Sequence, residues 1–324
     1  YIKELLPEFI PVVYLEKFNE ILEEESKSKF PKNIKLIFTT IGIYTNDVFK
    51  VWVVKQILKG SKLVVAQHGG HYATFDIKSE SLPFELFVSD YYFSWGWKLP
   101  GESIKPIPAL ISINKKISRT SNKLFYTIIT RPISKYCYIH STGSLPGKKN
   151  ELYLGMLFEL TQKLLESHKS KVLVRLHPGE SNEEEQEVPL GPQLIQNFPS
   201  LNFSSSTRSM LEVYDQSILN IFTYDGTSFL QSMALDVPCI LISDPKTDPF
   251  SELARPFYHR LQEAGIYHTN VDSAYAHILL VTENIDTWWD SQNVQNARKV
   301  YCEMFTRISD TPLDDIVEAL KESF

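Results

Sequence analysis

The chain is 324 residues long, 43% apolar and 12% aromatic, enough to bury an ample core and to form two domains. A formal net charge of -6 and a pI near 5.8 give no basic field for a nucleic-acid backbone, so duplex and single-strand binding are excluded while small anions can still bind locally. Cys137, Cys239 and Cys302 are isolated, odd in number and without CxxC or Cys/His ligand spacing, which argues against a disulfide framework and a zinc site and fits a reducing cytoplasm.

Residues 1–28 read as helical, with Leu5, Phe9, Val13, Leu15, Phe18 and Leu22 as a rough apolar face broken by Pro7 and Pro11. Strands are predicted at Ile34–Thr39, Leu63–Ala66 and Leu86–Ser89, alternating with helical or loop segments in a βαβ rhythm. Three strands are few for a lobe, and the chain opens at Tyr1 without Met, so it is expected to continue upstream. No signal peptide and no apolar run of about 18 residues is found, so no membrane span is expected.

Gln67-His68-Gly69-Gly70-His71-Tyr72 directly follows the second predicted strand. Its glycines allow a sharp turn and a close approach to a ligand, and its imidazoles can accept a proton near neutral pH. Two histidines without supporting carboxylates or cysteines make a poor metal site, so no metal is expected. A glycine turn with solvent-exposed histidines is the bland alternative. The aromatic stretch Ser89 to Trp97 either stacks on a sugar or base through Trp95 and Trp97 or roofs the interface between domains.

Ser112–Lys123 is polar and basic and is the interdomain linker candidate. A second strand series follows at Leu124–Thr130, Val172–Leu176, Leu201–Phe203, Ile218–Phe222 and Cys239–Ile242, the pattern of a doubly wound sheet. In such a sheet, ligands bind beyond the carboxyl ends of the strands, where helix N-termini present unpaired N–H groups. Arg131, His177-Pro178 and Asp225-Gly226-Thr227-Ser228 all stand at such ends. Arg131 suits a phosphate, and the hydroxyls of Thr227 and Ser228 can cap the following helix while touching an anion. Each has an ordinary structural alternative, but their recurrence at successive strand ends favours a site. Ser181–Glu187 is a solvated charge run, and Trp288, Trp289, Val294, Ala297, Val300, Tyr301 and Phe305 predict a packing stripe on C-terminal helices.

These elements resemble the GT-B glycosyltransferases, and more closely a bacterial family of surface-carbohydrate transferases associated with nonulosonic acids. The resemblance rests on residues 67–72, Ser94-Trp-Gly-Trp97, Tyr224–Ser228 with Pro238, and Arg255–Ile266. It implies two Rossmann-like lobes facing a cleft: an N-terminal acceptor-side lobe (1–115), a nucleotide-sugar lobe (116–290) and C-terminal helices (291–324). His177-Pro178 is similar to the His-Pro motif of bacterial sialyltransferases, which implies a contact from His177 to the phosphate of a CMP-sugar. The acidic motif carrying the base in those enzymes is not evident here. His68 is therefore the expected base, with His71 and Asp76 as alternatives.

The implied activity is metal-independent transfer of a sialic-acid-like or Kdo sugar from CMP to a glycan or lipid-linked glycan, without a cofactor. Arg131, Pro178, Asp225, Gly226, Thr227 and Ser228 would serve the donor, and Gln67, Gly69, Gly70, Tyr72, Trp95 and Trp97 the acceptor side. The expected setting is cytoplasmic, with a peripheral contact to the inner membrane or to polysaccharide assembly proteins. Motifs shared with CDP-glycerol glycerophosphotransferases give glycerophosphoryl transfer as the alternative, and a non-catalytic nucleotide-binding scaffold is the third reading.

Overall fold

The computed structural model describes residues 8–75, 81–118, 123–133, 147–177, 189–205 and 207–324. In the first lobe, α1 (Phe18–Lys27) leads to β1 (Leu36–Thr39), then α2 (Gly42–Thr45), α3 (Asp47–Ile57), β2 (Lys62–Ala66), α4 (Ser81–Val88), β3 (Tyr91–Ser94) and β4 (Ile104–Pro106). The four strands pair in parallel in the order β1-β2-β3-β4. Leu63 to Ala66 are all buried, as an uninterrupted apolar run requires when a parallel strand is covered on both faces.

The strand expected at Leu86–Ser89 is not formed; Leu86 to Val88 end α4, and the strand begins at Tyr91. Two short apolar runs lie side by side here, and length alone does not separate a buried strand from a buried helix turn.

The second lobe contains β5 (Phe125–Ile129), α5 (Lys148–His168), β6 (Val172–Arg175), α6 (Leu190–Asn197), β7 (Asn202–Phe203), α7 (Met210–Gln216), β8 (Ser217–Phe222), α8 (Thr227–Ala234), β9 (Cys239–Ile242), α9 (Arg255–Glu263) and β10 (Tyr267–His268). All pairs are parallel, in the order β10-β9-β8-β5-β6-β7. Sequence reading does not anticipate the two-residue β10, which is too short to show a period. The strand order reverses between β5 and β8, and that switch point opens a crevice at the carboxyl end of the sheet.

The chain closes with α10 (Val271–Val281), α11 (Ile285–Trp289), α12 (Gln292–Phe305) and α13 (Pro312–Lys321). Trp289, Val294, Ala297, Tyr301 and Phe305 are buried, the stripe expected of packing residues. One apolar cluster runs from Val64 and Trp95 in the first lobe through Phe229 and Tyr258 to Tyr301 and Phe305, so the lobes and terminal helices share a core. A second cluster, with Leu157, Val174, Ile221 and Ile278, fills the far face of the second sheet.

After α12 the chain returns to the first lobe. The Arg307 N–H donates to the Trp95 carbonyl at 2.9 Å, and the Ala109 N–H donates to the Arg307 carbonyl at 2.9 Å. Gly96 adopts φ +134°, and a Cβ there would lie 2.4 Å from the Glu303 carbonyl oxygen, so a side chain is excluded by both conformation and space.

Candidate functional site at the switch point

A cavity of about 360 Å³ lies over the switch point, walled by Arg131 after β5, Thr223 after β8, Ser243 after β9, Thr269 after β10, and Lys149 and Tyr153 of α5. Tyr153 ties the two strand ends together. Its hydroxyl accepts from the Arg131 N–H at 2.9 Å and donates to Thr223 Oγ1 at 2.9 Å, while Thr223 donates to the Ile129 carbonyl at 2.9 Å. Burial pushes the Tyr153 hydroxyl up to about 12, so it stays a neutral clamp across the neutral range.

Arg131 is 5% exposed. Its guanidinium sits over the Tyr153 ring at 5.3 Å, and Nη1 lies 3.5 Å from Asp248 Oδ2. Among the described residues, Nε is enclosed without a hydrogen-bond partner. A buried charged donor left unpaired costs free energy, and an incoming anion would relieve it. Lys149 supplies a second cation, its Nζ donating to the Thr247 carbonyl at 2.9 Å.

The loop after β2 reaches the second lobe beside this cavity. The Gly70 N–H donates to Thr227 Oγ1 at 2.9 Å, Ser251 Oγ donates to the Ala73 carbonyl at 2.7 Å, and Phe75 stacks on Phe250 at 5.9 Å. A Cβ on Gly70 would come within 2.7 Å of the Gly226 carbonyl carbon, so only glycine allows this approach. His71 turns inward at φ +71°, its ring 4.9 Å from Phe75 and 6.3 Å from Tyr224, with Nδ1 enclosed and unpaired. Burial, aided by the Arg131 charge, drives its imidazole down to about 3, so His71 is neutral at any physiological pH.

His68 has a different setting. Its side chain is 31% exposed, and Nδ1 stands 3.0 Å from the Tyr72 hydroxyl. Tyr72 donates to Glu85 Oε1 at 2.9 Å, as does Tyr44 at 2.9 Å, and Glu85 is fully buried. His68 Nδ1 and Glu85 Oε1 are 3.6 Å apart. Burial lowers the His68 pKa and Glu85 opposes that shift. Sequence reading misses Glu85 because it began a strand at Leu86, just after it, and so did not see the helix that carries it; the signal available was one carboxylate in the otherwise uncharged segment Ser81–Val88.

The expected residues fall into distinct groups. Thr227 is on the junction, but its hydroxyl does not cap α8: Gly226 is the N-cap, without a side-chain cap bond, and Thr227 Oγ1 accepts from Gly70 instead. The expected free helix N-terminus is thus covered in part by the first lobe. Ser228 contributes its carbonyl, which accepts from Tyr214. Asp225 is buried and accepts from the Tyr258 hydroxyl; burial pushes its carboxyl up to about 6 despite that bond.

Gln67 is 1% exposed and acts as a pin, its Oε1 accepting from the Trp95 N–H and Trp97 Nε1 and its Nε2 donating to the Gly69 carbonyl. Trp95 and Trp97 are 0% exposed, so neither offers a face to a sugar. Of their two expected roles, the packing one fits: each indole removes roughly 150–250 Å² from water, about 4–6 kcal/mol by transfer. His177 lies two residues past β6, one strand away from Arg131, and is not part of the cavity wall. Asp76 and Pro178 lie outside the described residues. Among the described residues, no group of three or more His, Cys, Asp or Glu side chains could hold a metal ion, and no helix is long and apolar enough to cross a membrane.

Among solved structures, the fold is similar to HepE of Anabaena in complex with UDP-glucose, at 13% identity, with 96% of this chain and 84% of that one covered and a TM-score of 0.52. It is also similar to a glycosyltransferase of Rickettsia africae, at 13% identity, 99% and 87% coverage and a TM-score of 0.50. At this identity the likeness is one of fold, that of the GT-B glycosyltransferases: α/β with two parallel sheets and a C-terminal helical segment. No curated protein matches the sequence. The model of the LIC12162 family transferases matches residues 1–320, nearly the whole chain, and the protein therefore belongs to that family of transferases.

Proposed function

We propose that the protein is a metal-independent glycosyltransferase that moves a sialic-acid-like or Kdo sugar from a CMP-linked donor to a hydroxyl of a glycan or lipid-linked glycan. The observation that carries the reading is the switch-point cavity with the unpaired Arg131 Nε in its wall. A phosphate seated there would satisfy that donor, and Lys149 would add a second charge. Asp248 offsets part of the Arg131 charge, and Asp244 lies in the same wall, so one phosphate suits this field better than two.

In the transfer, the acceptor oxygen bonds to the anomeric carbon and its proton passes to His68. The bond from that carbon to the phosphate oxygen breaks, and CMP leaves with the electron pair, its charge met by Arg131 and Lys149. His68 is preferred to His71 as base because a general base must carry the proton it takes, and an imidazole held near 3 is a poor acceptor at neutral pH. His177, outside the cavity wall, takes a secondary part from the neighbouring strand.

Thermal unfolding with CMP, CDP-glycerol, UDP and GDP tests the donor. A ligand at about 100 times its dissociation constant adds roughly 2.7 kcal/mol of stability. CMP is expected to stabilise most. A preference for CDP-glycerol would favour glycerophosphoryl transfer, a preference for UDP or GDP would replace the donor, and no shift with any nucleotide would remove the cavity from the mechanism.

A further inference from the structure

Three elements of the first lobe converge on one buried carboxylate. Glu85 on α4 receives the hydroxyls of Tyr44 on α2 and Tyr72 from the loop after β2, each at 2.9 Å, with no exposure to water. The Tyr72 oxygen lies 3.0 Å from His68 Nδ1 and 3.4 Å from Nε2, nearly equidistant, so it packs against the imidazole rather than along either N–H direction.

Resting on the transferase reading above, we propose that Glu85 is the positioning residue of the base: with Tyr72, which donates to it, it packs against the His68 ring, and its carboxylate, 3.6 Å from Nδ1, steadies the imidazolium formed when His68 takes the acceptor proton. In the step itself the acceptor O–H breaks, its electron pair forms the new bond to the anomeric carbon, and the proton rests on His68 until solvent removes it. Glu85 touches neither substrate. Buried beside two tyrosines and 3.6 Å from the ring, the carboxylate acts in a medium where a charge is felt more strongly than in water. The titratable groups facing the ring among the described residues are Glu85, Tyr72 and Tyr44, with Tyr92 behind Tyr72 at a ring separation of 6.3 Å.

The test reads His68 itself. In Glu85→Gln, removal of the neighbouring negative charge disfavours the imidazolium, so the His68 titration followed by NMR moves to lower pH, and the acidic limb of the pH–rate profile moves with it. The kcat falls about tenfold or more while KM for the donor nucleotide is unchanged. Glu85→Asp keeps the charge and returns the titration and the turnover toward wild type, which guards against a folding defect specific to the Gln variant. An unchanged His68 titration in Glu85→Gln would overturn the proposal. A shifted titration in a protein inactive with every nucleotide sugar would support the coupling and sink the transferase reading instead.

Discussion

Gly70→Ala puts the junction of the lobes to a direct test. The added Cβ would meet the Gly226 carbonyl carbon at 2.7 Å and the Thr227 nitrogen at 2.8 Å, both backbone atoms of the segment that opens α8. Ordinary contact begins several tenths of an ångström further out, and neither neighbour is a side chain that can swing away. Overpacking of this kind costs about 1–3 kcal/mol, and separation also strains the hydrogen bond from the Gly70 N–H to Thr227 Oγ1, about 1 kcal/mol more. For a chain of this length a loss of about 3 kcal/mol lowers the melting temperature by about 4 °C. Calorimetry or thermal circular dichroism reads that shift, with Thr227→Ala as the control that removes the bond without the clash and costs only the smaller part. Transfer should fall further than stability suggests, because in the proposed reaction His68 and Arg131 act on one donor–acceptor pair and a small misplacement costs about a hundredfold in rate. A Gly70→Ala protein with unchanged melting and unchanged turnover would refute this account of the junction.

Tyr153→Phe should lose about 1–3 kcal/mol in urea unfolding, since the Arg131 N–H loses its acceptor and the clamp between β5 and β8 opens; no change would mean water takes over the bonds. Asp225 has a folded pKa raised from 3.8 to about 6, so the folded state favours its proton; that contribution is fully present below about pH 4 and is lost as pH rises through 6, about 3 kcal/mol in all. Unfolding of wild type and Asp225→Asn from pH 4 to 8 should therefore show the variant gaining on wild type as pH rises, and parallel curves would contradict it. Arg131→Ala should abolish nucleotide binding in calorimetric titration with the fold kept, whereas His177→Ala should retain most of it; the reverse order would move the donor site to β6. Turnover should survive EDTA, and a loss reversed by Mg²⁺ or Mn²⁺ would contradict the metal-independent mechanism.

The second sheet was largely legible because its strands are apolar runs of ordinary length with helices between them, and Arg131 and residues 225–228 were correctly placed at strand ends. Roles were less legible than places. Trp95 and Trp97 follow a strand end as a ligand contact would, yet both are fully buried, and the backbone at Trp95 and Gly96 meets residues 303–307, some two hundred positions later, a contact no local pattern announces. His68 and His71 are alike in sequence, and only the tertiary fold turns one toward Glu85 and the other into an enclosed gap beside Tyr224. The hydroxyl of Thr227 looked like a helix cap because the competing donor, Gly70, lies in the other lobe.

The return of the terminal helices has a consequence for how the protein is made. A ribosome delivers β1 to β4 long before residues 303–307 exist, so the first sheet emerges with the Trp95 carbonyl and the Ala109 N–H without these partners. Domains commonly fold in the order of synthesis, but this lobe must wait for the last thirty or so residues before its surface closes. Contacts that span most of the chain also slow folding, since the loop must close before the contact rewards it. Clipping before α12 should then open the backbone around Trp95 and Gly96 in the first lobe, far in sequence from the cut, and protease sensitivity near residues 89–111 would report it.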